Sequence, residues 1–196
     1  MSEQVSGPTS KVNMVDIFRF GQSTAKTEKL KRLTNSLAWR HTYQGSEIYP
    51  IELSDRRVLS IRQLSNGETK GFGTGTSVWP AAHVLSKYLE RRYGPGGLNG
   101  KRVCDIGSGT GCTGFVAAAL DAEVTLTDQR QLIDFMIANK KRICSEVHSI
   151  PEERIKVSVY DWGGSIDHLR PPFDVILVSD CVLPKLYPIE PLVQAS

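Results

Sequence analysis

The sequence predicts an α/β protein built on a doubly wound, mostly parallel sheet. Two observations carry this. After residue 100, strand-like and helix-like runs alternate. The strand runs "RVCDI" (102–106), "AEVTLTD" (122–128), "RIKVSVYD" (154–161) and "FDVILVSD" (173–180) are also close to continuously apolar, as strands covered on both faces must be.

Residues 1–46 are polar with little periodicity, apart from "FRFG" at 18–21, and are expected to be a poorly ordered extension. The folded domain is expected over 47–196. It opens with two β-like runs, 48–53 and 57–64, separated by the turn formers Ser54 and Asp55, which predicts a hairpin. A glycine-rich stretch, "GFGTGTSVWP" (71–80), leads into a helix on which Ala81, Val84, Leu85, Tyr88 and Leu89 share one face, with Pro80 in the first turn and Gly94 as the stop. His83 lies off that stripe and reads as a surface or boundary residue. Beyond the turn at 94–101, "TGFVAAAL" reads as a helix between the first two strands. A second helix, 130–147, carries its apolar face on Leu132, Ile133, Met136, Ile137, Ile143 and Cys144.

Composition narrows the class. The chain has 196 residues, is 40% apolar and carries a formal net charge of +3. No signal-peptide pattern opens it and no apolar run reaches the roughly 18 residues of a membrane span, which predicts an intracellular protein of the cytoplasm, with the nucleus as a second compartment. Residues 1–100 carry +6 and residues 101–196 carry −3, yet no basic run is interleaved with aromatics, which points away from nucleic acid. The cysteines, at 104, 112, 144 and 181, form no C-x-x-C pair and read as reduced core thiols. No metal site is expected.

The segment "VCDIGSGTGCTG" (103–114) holds two overlapping glycine patterns, Gly107-x-Gly109-x-Gly111 and Gly109-x-Gly111-x-x-Gly114. Both follow a strand and open a helix, and both let backbone amides approach a ligand. Asp128, 19 residues past Gly109, also suits a dinucleotide fingerprint. Other acids distinguish the two. Asp105, two residues before Gly107, suits a cationic ligand better than a diphosphate. Asp105, Asp128, Asp161 and Asp180 each end or follow a strand, so a parallel sheet brings all four to its carboxyl edge, where such folds bind ligands. Trp162, beside Asp161, offers a flat surface for a purine.

In order and spacing, "VCDIGSGTG", "VTLTD", "YDWG" and "PPFDVILVSD" resemble the successive motifs of a seven-β-strand adenosylmethionine-dependent methyltransferase of Rossmann-like fold. More narrowly, "GTGTSVWPAAHVLSKYL" and "DWG" resemble the methyltransferase-like 21 group of methyltransferase family 16, which includes many protein-lysine methyltransferases. The resemblance covers about 47–192. It implies S-adenosyl-L-methionine as cofactor and methyl transfer to a protein lysine. It places Gly107, Gly109 and Gly111 around the methionine end, Asp105 beneath that turn toward the amino group, and Asp128 on the ribose. Asp161 and Trp162 would frame the adenine, Trp79 would close the pocket, and Ser179 and Asp180 would border the transfer opening, with Asp180 orienting the amine. Gly114 reads instead as a close helix-to-strand contact.

Two departures accompany the resemblance. Where the group carries Asp-x-x-Tyr or Asp-x-x-Phe after the fourth strand, this chain has Asp180-Cys181-Val182-Leu183, without an aromatic face for an ammonium. After Asp180 at most one more helix is readable, so the last strands of the fold are expected to be missing and the fourth strand to be an edge open to association with another chain. Two other readings stand beside methyl transfer: a non-catalytic chain that retains part of the pocket, and a nicotinamide-dependent oxidoreductase.

Overall fold

In the computed structural model the described residues are 43, 45–65, 67–182 and 189–195. The expected N-terminal extension, with "FRFG", therefore falls outside them except at its last few residues, and Leu183 falls outside as well.

The predicted hairpin forms as β1 (Ile48–Glu52) and β2 (Val58–Arg62), antiparallel, with Ile51 opposite Leu59. Its alternation buries Tyr49, Ile51, Leu59 and Ile61 on one face. Helix α1 (Pro80–Tyr93) follows. The main sheet comprises β3 (Arg102–Ile106), β4 (Glu123–Asp128), β5 (Ile155–Val159) and β6 (Val175–Val178). Its order is β5-β4-β3-β6, all parallel, with Val103 paired to both Val124 and Val175. Helix α2 (Cys112–Ala119) connects β3 to β4, and α3 (Ile133–Glu146) connects β4 to β5. A short helix α4 (Ile189–Ala195) ends the described chain.

The core lies where two elements are apolar on every side. All eight residues of α2 are buried, and β3 and β4 bury Val103, Cys104, Ile106, Val124 and Leu126. Such a helix belongs inside a domain rather than on it. The hairpin packs on α2 and α3, and α1 on α2. Asn139 of α3, fully buried, joins hairpin to core: it accepts from Arg62 N and donates to the carbonyls of Arg62 and Thr110.

The stripe predicted on α1 is its buried face only in part. Leu89 is buried as expected, but Val84 and Tyr88 are 58% and 57% exposed, and the polar Ser86 and Glu90 are buried instead. Polar partners decide the rotation. Glu90 accepts from Ser54 N at 2.6 Å and pairs with Lys87, and Ser86 Oγ donates to Ala82 O. Apolar periodicity alone cannot anticipate a buried acid that is satisfied by a turn 36 residues earlier.

On the far face, α4 contributes Leu192 to a cluster with Cys104, Ile106, Tyr160, Leu169 and Cys181. All four cysteines are free. Burial pushes the Cys104 and Cys112 thiols up to about 12 and Cys181 to about 11, so they are inert apolar side chains in the ligand-free protein. Among the described residues, no helix is long and apolar enough to cross a membrane, and no group of His, Cys, Asp and Glu could hold a metal ion.

Candidate active site

The sheet order places a topological switch between β3 and β6, because the chain winds outward from β3 through β4 and β5 on one side and returns to β6 on the other. A crevice at the carboxyl ends of the strands is the expected consequence. A cleft of about 250 Å³ lies there. Of the ten residues singled out in the sequence, eight line it: Trp79, Gly107, Gly109, Asp128, Asp161, Trp162, Ser179 and Asp180. Asp105 and Gly111 do not.

The loop after β3 is built by its glycines. Gly107, Gly109 and Gly111 have φ of +66°, +55° and +82°, a region costly for other residues. Gly109 also meets the 71–79 segment: a Cβ there would stand 2.7 Å from Gly75 O. The glycine pattern thus serves chain-to-chain packing as well as approach to a ligand. Gly111 opens α2, and its added Cβ would strike Phe115 at 2.6 Å.

Asp128 braces this loop. Its Oδ2 accepts from Gly109 N at 2.8 Å and its Oδ1 from Gln129 N at 2.7 Å. Burial nonetheless raises its pKa, outweighing those two bonds. Each oxygen keeps a lone pair for a further donor such as a hydroxyl. Asp105 is 2% exposed, and its Oδ2 accepts from Gly114 N at 3.0 Å. The sequence reading placed this carboxylate beneath the glycine turn, toward a ligand amino group; its Oδ2 also holds the first turn of α2 down on β3.

Trp79 precedes α1, and its indole donates to Thr74 O at 2.9 Å. Asp180 accepts from Ala81 N at 2.7 Å, joining the end of β6 to the start of α1. Sequence reasoning missed Phe72, Gly75, Tyr160, Cys181 and Pro191 as wall residues. For Phe72 and Gly75 a signal existed, since they lie in the second glycine-rich stretch. Cys181 was visible only as a thiol; it sits so that a Cβ on Gly107 would come within 2.8 Å of its sulfur.

The wall holds three carboxylates, Asp128, Asp161 and Asp180, four aromatics, Phe72, Trp79, Tyr160 and Trp162, and no lysine, arginine or histidine among the described residues. Such a wall favours a cationic, partly aromatic ligand over a diphosphate.

The lysine methyltransferase family model matches residues 55–194. The chain belongs to that family. The chain is 41% identical over 118 residues to protein N-lysine methyltransferase METTL21A of Danio rerio, covering 58% of the chain and 50% of the relative. To METTL21A of Mus musculus it is 35% identical over 127 residues, covering 63% and 53%. To protein-lysine methyltransferase METTL21E of Bos taurus it is 35% identical over 113 residues, covering 55% and 38%. The chain thus spans about half the length of the curated relatives it matches, or less.

Proposed function

We propose that this chain carries the adenosylmethionine site of a methyltransferase acting on a protein lysine. The observation that carries the cofactor reading is the charge of the cleft: three carboxylates and no cation around a glycine loop. That charge also disfavours the nicotinamide reading, since NAD would bring its diphosphate beside Asp128 and Asp161. The names of the matched relatives support lysine as the acceptor.

When bound, adenosylmethionine supplies an electrophilic methyl on a cationic sulfur. The residues of the chain then act by positioning. Asp128 offers lone pairs to the ribose hydroxyls, and Trp162 and Tyr160 give the base an apolar face beside Asp161. Trp79, Phe72 and the Gly75–Gly109 contact exclude water from the loop side. Asp180 has lone pairs beyond the one used on Ala81 and orients the incoming amine. The lysine ammonium, with a pKa of about 10.4 in water, would release its proton to solvent before attack, favoured by desolvation and by repulsion from a cationic ligand; an ionised carboxylate is too weak a base to take it alone. Transfer is an in-line displacement, so holding donor and acceptor in register supplies most of the protein's share.

The experiment is titration calorimetry of the chain with adenosylmethionine, adenosylhomocysteine and NAD. Binding of the first two and not the third is expected. Gly109→Val should abolish it, since the added side chain enters the Gly75 backbone. NAD binding in preference to adenosylmethionine would overturn the reading.

A further inference from the structure

One side chain, after the edge strand β6, reaches the first turn of α1. The leading N–H groups of a helix need partners. α1 has no acid in its first turn, and its N-cap residue, Trp79, contributes no side-chain cap. The partner comes instead from 99 positions away, where Asp180 Oδ2 accepts from Ala81 N at 2.7 Å. To do so Asp180 takes φ +52°, a left-handed conformation that Asp and Asn tolerate better than most side chains. The two partners stand on different walls of the same cleft. Trp79 and Ala82 belong to the α1 side, and Ser179 and Asp180 to the β6 side.

We propose that Asp180 is a positioning residue that clasps α1 and the 71–79 segment to the end of β6, so that the cofactor wall and the acceptor wall fix each other's position. The proposal rests on the reading of the cleft as an adenosylmethionine site. It changes what removing Asp180 means. If the carboxylate only oriented the amine, its loss would spare cofactor affinity; as a clasp, its loss also frees Trp79 and weakens cofactor binding.

Two variants separate the bond from the charge and from the backbone. Asp180→Gly removes the carboxylate while glycine accepts the positive φ without strain. Asp180→Asn keeps both the conformation and a carbonyl oxygen for Ala81 N, and removes the charge. Two readouts are used: hydrogen exchange of residues 71–85 in the ligand-free protein, with 102–128 as internal reference, and adenosylhomocysteine affinity by calorimetry.

In Asp180→Gly, exchange of the first turn of α1 should rise about tenfold or more while the reference segment holds, and affinity should fall roughly tenfold, the scale of one lost charge-assisted hydrogen bond. Asp180→Asn should keep the exchange of that turn within about threefold of the native sequence. Native-like exchange in Asp180→Gly overturns the clasp, and so does an Asp180→Asn protein that exchanges like Asp180→Gly. If Asp180→Gly does not fold, the Asn variant decides: native-like exchange supports the clasp and lost protection overturns it. A native chain that binds no adenosylhomocysteine, with protection still lost in Asp180→Gly, would sink the cofactor reading and leave the clasp standing.

Discussion

Asp105 shows how a residue can be legible in position while its structural partner is not. An acid two residues before Gly107 at a strand end reads as a ligand contact, and no spacing rule announces that the Gly114 amide will sit over it at 3.0 Å. Its burial has a consequence for pH. Desolvation, opposed by the Gly114 bond and reinforced by the Asp128 charge, pushes its pKa up to about 7, against about 3.9 for an ordinary aspartate. The folded chain therefore holds a proton that the unfolded chain has lost between about pH 4 and 7. Stability falls as pH rises through that window, by at most about 1.4 kcal/mol per pH unit, and the penalty is complete above the folded pKa. Asp105→Asn removes the titration and keeps an oxygen for the Gly114 amide. In the ligand-free protein the variant should melt above the native sequence at pH 8, with the difference shrinking toward pH 5. A gap that does not change with pH would mean that Asp105 is ionised throughout.

At the scale of elements, the strands and both central helices were readable because their signals are local: apolar runs of the right length, and glycine where the backbone turns. The rotation of α1 was not readable, since it depends on Glu90 finding Ser54 N. Gly114 lies between these cases. Its reading as a close contact is borne out by geometry: a Cβ there would stand 2.1 Å from Leu126 Cδ2, 3.1 Å from Asp105 Oδ2 and 3.2 Å from Val124 Cγ1. In an exposed helix interior, alanine would gain about 1 kcal/mol over glycine. Here α2 lies flat on β4, and overpacking costs typically 1 to 3 kcal/mol, so the packing term wins. Gly114→Ala should lower the midpoint of urea unfolding with an unchanged slope. An unchanged or higher midpoint would show that Leu126 can turn aside at no cost.

For the whole molecule, the sheet order makes β6 an edge among the described residues, as the sequence predicted from the count of readable strands. β6 pairs with β3 through Val103–Val175 to Ile106–Val178, which leaves its other side without a strand partner among the described residues. An edge of sequence Val-Ile-Leu-Val lacks the charges that usually discourage pairing with another chain. Four apolar residues from Val178 onward are exposed as well: Val178 at 37%, Val182 at 53%, Ile189 at 46% and Val193 at 67%. This edge should associate with the edge of a second copy. Sedimentation velocity across a dilution series should show a species heavier than the monomer that dissociates on dilution. Val178→Lys, which puts a charge on a position already 37% exposed, should shift that series toward monomer at little cost in melting temperature. Because Val178 is not among the residues lining the cleft, adenosylhomocysteine affinity should be unchanged in the same variant. If the native sequence is monomeric at every concentration, the edge is not an association site. If Val178→Lys associates as the native sequence does, the contact lies on another face.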